Sequence, residues 1–143
     1  MNINIKLINS IAIMPTRGST DAAGYDLYTY ESGDINPNET VKFHTGISME
    51  IPKGFVGLVF ARSGLGINHG IVPSNCVGVI DSDYRGEIMV ALHNHSNETY
   101  SVKENERVAQ IVIVPFLSVE FKKVTELTNT ERGVKGFGST GKK

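Results

Sequence analysis

Two acids and an aromatic interrupt an apolar stretch in "GVIDSDYRGEI", residues 78–88, where Asp81, Asp83 and Tyr84 fall together. Acids and an aromatic in such a place raise the question of a chemical role, which their types alone leave open. Asp-Ser-Asp is good turn chemistry for the tip of a hairpin. A second cluster, "ARSGLG" at 61–66, sets Arg62 and Ser63 at the end of an apolar run. A guanidinium offers phosphate oxygens a planar fork of donors, and the serine hydroxyl adds one more. A third, "DAAGYDLY" at 21–28, presses small residues against Asp26, which either faces a cation or stands exposed at a strand start. In the tail, "RGVKGFGSTGKK", successive glycines let backbone N–H groups converge on an anion, with Arg132, Ser139 and Thr140 as further donors.

Each cluster has a competing reading. "GFGSTGKK" approximates a P-loop but lacks the Ser or Thr after the lysine and the helix that must follow. A frayed terminus is the other possibility for the tail. Phe137 tells against it, because an aromatic between glycines needs something to close over. His93 and His95 lie on one strand face at a spacing zinc accepts, but no third ligand accompanies them, so surface histidines are the favoured reading.

The elements that must carry these groups are strands. Apolar alternation of period two recurs at Ile3, Ile5 and Leu7, then in "VKFHTGISMEI", "FVGLVF", "GEIMVAL" and "RVAQIVIV". Turn signals rich in Gly, Pro, Asn and Asp separate these runs at roughly ten-residue spacing, which predicts an all-β sandwich, jelly roll or barrel. The only helical expectation is a single turn in "GLGINHG". At 143 residues the chain fits one domain. With 14 basic and 15 acidic residues, bulk electrostatics point to neither a nucleic-acid partner nor a membrane surface. The longest apolar run, "IVIVPF", is too short to cross a bilayer. A lone cysteine, Cys76, rules out an internal disulfide and suits a reducing compartment, so a cytoplasmic location is expected, the host's cytoplasm if the source is viral. Cys76 itself reads as a small buried apolar residue.

Taken in order, "DAAGYDLY", "ARSGLG", "SNCVGVIDSDYRG", "ERVAQIVIVPF" and "RGVKGFGSTG" resemble the five motifs of the trimeric dUTPases, the deoxyuridine triphosphate nucleotidohydrolases, from about residue 21 to the C-terminus. The resemblance implies a jelly-roll-like β-barrel or sandwich over residues 1–131, with residues 132–143 as a flexible arm that closes over the site. It implies a homotrimer whose sites are each built from three chains. The implied reaction is hydrolysis of dUTP to dUMP and pyrophosphate with Mg2+ chelated by the triphosphate, which keeps uracil out of DNA and supplies dUMP for thymidylate synthesis. By the same resemblance Asp81 is the general base and the Tyr84 ring underlies the deoxyribose. Asn75 and the backbone of Val79, Ile80, Asp81 and Met89 imitate base pairing to uracil. Arg62, Ser63, Gly64 and Gln110 contact phosphates, and Asp26 orients a metal-bound water. Phe137 stacks on uracil, while Arg132, Gly138, Ser139 and Thr140 hold the γ-phosphate.

Two departures from the family pattern stand out: Ala61 where Pro is usual, and Asn105 where the β-turn before "ER" usually has Gly. Asn tolerates the left-handed conformation, so that turn is expected to survive. The rival enzyme of the same fold, a dCTP deaminase, needs a proton-shuttling Glu where this chain has Ala91. A non-catalytic nucleotide-binding trimer is the rival of another class, and it would be expected to have lost Asp81, Tyr84 or the tail.

Overall fold

The computed structural model describes residues 1–136. Among them are eleven strands and one short helix. In chain order these are β1 (Asn4–Leu7), β2 (Tyr25–Tyr28), β3 (Gly33–Ile35), β4 (Thr40–His44), β5 (Ile47–Glu50), β6 (Phe55–Phe60), α1 (Ser63–His69), β7 (Ile71–Pro73), β8 (Gly78–Ile80), β9 (Met89–Asn94), β10 (Tyr100–Val102) and β11 (Arg107–Pro115). The architecture is the all-β, jelly-roll-like arrangement that the alternating pattern predicts.

All strand pairing is antiparallel. One sheet runs β2-β11-β6-β8 and a second runs β4-β9-β7, with the ribbons β1-β5 and β10-β3 completing the layers. Period-two alternation points one face of each sheet inward. In β9, Val90 and Leu92 are buried while Met89 is exposed. Leu27, Ile35, Phe43, Ile47, Ile71, Ile88, Val108 and Ile111 fill the same core. Complete burial of each such side chain stabilises the fold by about 1.5–3 kcal/mol relative to exposure.

Polar groups fix the corners. Buried Asn94 donates to the carbonyls of Ile35 (2.8 Å) and Glu98 (2.7 Å) and accepts from Ser96 N–H, which shapes the 94–98 turn. "VKFHTGISMEI" is two strands, not one, because the chain breaks at Thr45 and at Gly46, whose φ is +69°. Asn105 does adopt the left-handed conformation expected of it, at φ +64°.

Two expectations need correction. The helix is longer than one turn of "GLGINHG": it starts at Ser63 and ends where Gly70 takes φ +67°. Only Leu65 of its residues is buried, so it carries no apolar stripe for a sequence pattern to detect. Cys76 is exposed, not buried. It occupies a turn at φ +62°, where its N–H bonds the Pro73 carbonyl at 3.0 Å and its side chain is directed away from the core.

The last strand ends at Pro115, and residues 116–136 make no strand pairs within this chain. Among the described residues, no helix is long and apolar enough to cross a membrane.

Candidate active site

The turn after β8 carries Asp81 and Tyr84, both exposed, and is closed by a Tyr84 N–H to Asp81 carbonyl bond of 3.2 Å. Tyr84 is held further by its hydroxyl, which donates to the Glu87 carbonyl at 2.9 Å. Glu87 is in turn clamped from both oxygens, by the His44 ring at 2.7 Å and by Gly46 N–H at 2.8 Å. The hairpin is therefore fixed at its base to the β4–β5 corner. Gly86 completes the arrangement: a Cβ there would collide with the ring and hydroxyl of Tyr84.

β8 pairs with β6 on one side only, so one row of its N–H and C=O groups has no strand partner among the described residues. That open edge borders a recess of about 190 Å³ lined by Val79, Ile80, Asp81, Tyr84, Glu87, Ile88 and Met89. Unpaired strand backbone offers alternating donors and acceptors to whatever lies against it. The recess is smaller than the ~300 Å³ lower bound of drug-sized sites, so it suits a nucleoside but not a triphosphate. Asn75 stands exposed in the turn preceding β8.

On its other flank Asp81 borders a wider, open cleft of about 860 Å³, whose charged rim is Glu50, Lys53, Asp83 and Arg85. Asp81 is the one residue shared by the recess and the cleft.

The second cluster lies at the far end of the same sheet. Strand register places Gln110 of β11 between Asp26 of β2 and Phe60 of β6. The Gln110 amide nitrogen donates to the Ala61 carbonyl at 2.9 Å, which fixes the loop leading to Arg62. A Cβ on Gly24 would strike the other end of that amide, so the small residues of "DAAG" make room for it. Arg62 Nε reaches Asp26 Oδ1 at 2.9 Å, and Arg107 reaches Asp26 Oδ2 at 3.2 Å. Ser63 and Gly64 open α1 beside them, exposed, with no side-chain cap on the helix.

These two groupings do not meet in one chain. Ile80 pairs with Gly57, so Asp81 lies level with Val56, while Arg62 is six residues further along the same line of chain. At about 3.3 Å per residue that separation is about 20 Å.

Among the described residues no three His, Cys, Asp or Glu side chains cluster to hold a metal. His93 and His95 form an edge-to-face pair with ring centroids 4.4 Å apart, and His93 bonds Thr40 at 2.9 Å. Asp26 has both oxygens engaged by guanidiniums and a side chain 14% exposed, which leaves no opening for direct ligation. A carboxylate has about four acceptor sites, so it retains capacity to accept from the water of a hydrated ion.

Arg132 is exposed, with its Nε bonded to the Lys135 carbonyl at 3.0 Å. Phe137, Gly138, Ser139 and Thr140 lie outside the described residues. Glu87, His44 and Arg107 escaped the sequence reading because their contacts depend on long-range pairing, and Gly86 because its approach to Tyr84 depends on the shape of the turn. The sequence signal nearest to one of them is "ER" directly after an Asn in a turn position.

Known proteins resemble the chain throughout. A family model described as dUTPase matches residues 10–141. A deoxyuridine 5'-triphosphate nucleotidohydrolase of Nautilia profundicola is 48% identical over 142 residues, covering 99% of this chain and 100% of its own. One of Candida albicans is 48% identical over 131 residues, covering 90% and 81%. Among solved structures, the dUTPase of Staphylococcus bacteriophage 80alpha with dUPNHPP superposes with a TM-score of 0.91 at 31% identity over 98% of both chains. A mutant dUTPase of phage phi11 of S. aureus, described with a structural Mg(II) ion, gives 0.82 at 27% identity over 90% of this chain and 100% of its own. With five motifs in order on a matching β fold, and near-complete relatives at this identity, the chain belongs to the dUTPase family.

Proposed function

We propose that this protein hydrolyses dUTP to dUMP and pyrophosphate at sites assembled between the chains of a homotrimer. The observation that carries this reading is the position of Asp81, alone at the junction of a nucleoside-sized recess and an open cleft. Uracil and deoxyribose occupy the recess, and the phosphates leave past Asp81 into the cleft. Asp81 takes a proton from the attacking water, and the bond between the α- and β-phosphates breaks as pyrophosphate departs. Magnesium, when chelated by the triphosphate, supplies charge neutralisation at the phosphates. Asp26 would accept a hydrogen bond from a water of that ion.

The cleft of one chain is short of cations, with Lys53 and Arg85 set against Glu50, Asp81 and Asp83. The cluster of Arg62, Ser63, Gly64 and Gln110 that suits a polyphosphate is about 20 Å away on the same chain. Supply of that cluster by a neighbouring chain resolves the mismatch. A second observation supports assembly. Leu117, Val119 and Phe121 alternate with Ser118, Glu120 and Lys122 and are 88%, 63% and 97% exposed. This is a one-sided apolar segment outside any strand of its own chain, and exposure of such a stripe marks an interface. Residues 132–143 then serve as the arm that reaches a neighbour's site, Arg132, Ser139 and Thr140 on the γ-phosphate and Phe137 on uracil. The product dUMP and the removal of dUTP fit a role in keeping uracil out of DNA.

Base selection follows from the open edge of β8. A buried backbone pattern built for uracil leaves unpaired groups against cytosine, so dCTP is expected to be rejected by roughly 10⁴. Pyrophosphate release from dUTP, UTP, dTTP and dCTP with magnesium tests the reading. Turnover confined largely to dUTP is expected, whereas ammonia release from dCTP or equal turnover of UTP and dUTP would overturn it.

Sugar selection rests on the Tyr84 ring, and Gly86 offers a way to move that ring without touching it. In Gly86→Ala the half-exposed ring swings aside and gives up its bond to the Glu87 carbonyl, at a cost to folding of about 0.5–1.5 kcal/mol. Burial of the 2'-hydroxyl then loses part of its penalty of about 1–3 kcal/mol. The ratio of kcat/KM for dUTP over UTP is expected to fall about tenfold, with Tm lowered by only a few degrees. An unchanged ratio would detach Tyr84 from sugar selection.

A further inference from the structure

Arg107 takes no direct part in the proposed chemistry, yet it completes the cluster around Asp26. Its place there depends on an irregularity in the sheet. β11 pairs with β2 in register at Gln110↔Asp26 and Ala109↔Leu27, but the next pair is Arg107↔Tyr28, so Val108 is an extra residue. In a regular antiparallel ladder, opposed residues share a face and neighbours alternate. Without the bulge, Arg107 would point with Ala109 and Leu27 into the core, and Val108 would share the face of Asp26 and Gln110. The bulge reverses this: Val108 is 1% exposed, and Arg107 is on the Asp26 face with its side chain 47% exposed. Bulges beside functional sites commonly re-aim a side chain in this way.

The turn ahead of Arg107 is held firmly enough to fix it. Tyr100 hydroxyl donates to Glu106 Oε1 at 2.5 Å, and Lys103 N–H donates to Glu106 Oε2 at 2.9 Å. Burial, and then the bond to Glu106, push the Tyr100 hydroxyl up to about 12, so it remains a donor throughout the neutral range. Thr29 N–H bonds the Glu106 carbonyl at 3.0 Å, and Asn105 N–H bonds the Thr29 carbonyl at 2.8 Å. Arg62 adds a link of its own, from its guanidinium to the Arg107 carbonyl at 3.3 Å.

We infer that Arg107 is a positioning residue for phosphate binding: it grips the second oxygen of Asp26, so that Asp26 holds Arg62 in line with Ser63, and it leaves the cluster with one positive charge in excess. An Arg62–Asp26 pair alone would be neutral, a poor receiver for a polyanion. The inference rests on the proposed dUTP hydrolysis, and it predicts a loss confined to ligands that reach the β- and γ-phosphates.

The test compares the native protein, Arg107→Met and Arg107→Lys. KM for dUTP, kcat, and inhibition by dUMP, which lacks the outer phosphates, are measured in each. Arg107→Met is expected to raise KM for dUTP about tenfold, with kcat within about threefold and dUMP inhibition within about twofold. Arg107→Lys keeps the charge without the fork and is expected to raise KM about threefold. Unchanged KM in Arg107→Met, or an equal loss of dUTP and dUMP binding, would overturn the inference, the latter by marking a general structural effect. If Arg107→Met does not fold, Arg107→Lys decides by the same comparison. Failure of the native protein to release pyrophosphate from dUTP would instead remove the proposed function itself.

Discussion

Asp81→Asn is expected to bind dUTP nearly as the native protein does and to release pyrophosphate about 10²–10⁴ times more slowly. The amide keeps the size and planarity of the carboxylate but cannot accept the proton that the attacking water must lose. Folding should be indifferent to the change. The Asp81 side chain is exposed, and the bond that shapes its turn uses the Asp81 backbone carbonyl rather than its carboxylate. Equilibrium binding of a non-hydrolysable dUTP analogue, set beside single-turnover rates, separates the two effects. Asp83 supplies an internal comparison. It shares the turn and lines the cleft, but it does not border the recess. Asp83→Asn is therefore expected to stay within about threefold of native turnover. Near-normal turnover in Asp81→Asn, or a larger loss in Asp83→Asn, would move the base to another residue.

Much of this fold was legible because burial and strand period act on the same residues. "FVGLVF" and "RVAQIVIV" are short apolar runs of strand length, and they became the central partners β6 and β11. Asn105 could be anticipated in its left-handed turn because the tolerance belongs to the residue type. Failures came where position depends on long-range pairing. Cys76 has the composition of a core residue, and only the turn geometry puts it on the surface. Arg62 and Asp26 were singled out separately, one for phosphate and one for a cation. Their 2.9 Å contact exists because β2, β11 and β6 bring residues 36 positions apart into one row. Arg107 was invisible for a sharper reason. A strict period of two assigns it to the core face, and the Val108 bulge that turns it outward leaves no trace in composition. The 20 Å gap between Asp81 and Arg62 was equally hidden, since motif order says nothing about which copies of the chain contribute to one site.

That gap leads to the most direct test of the account, in which the catalytic carboxylate and the phosphate-holding cluster of any one site come from different chains. Two variants are needed. Asp81→Asn lacks the base, and the double substitution Arg62→Met with Ser63→Ala lacks the main phosphate donors, at a cost of about 10²–10³ in turnover by the strength of charge-assisted bonds. Each is weakly active alone. Refolded together in equal amounts, they form a population of trimers in which about a quarter of all sites, one of the three in each mixed trimer, pair a native Asp81 with a native Arg62 and Ser63 from a neighbour. The measurement is pyrophosphate release from dUTP by the mixture, with mass measurement to establish that mixed trimers formed. Recovery of about a quarter of native activity is the predicted result. Mixed trimers that remain as inactive as their parents would mean that each site draws both groups from a single chain, and would contradict the account.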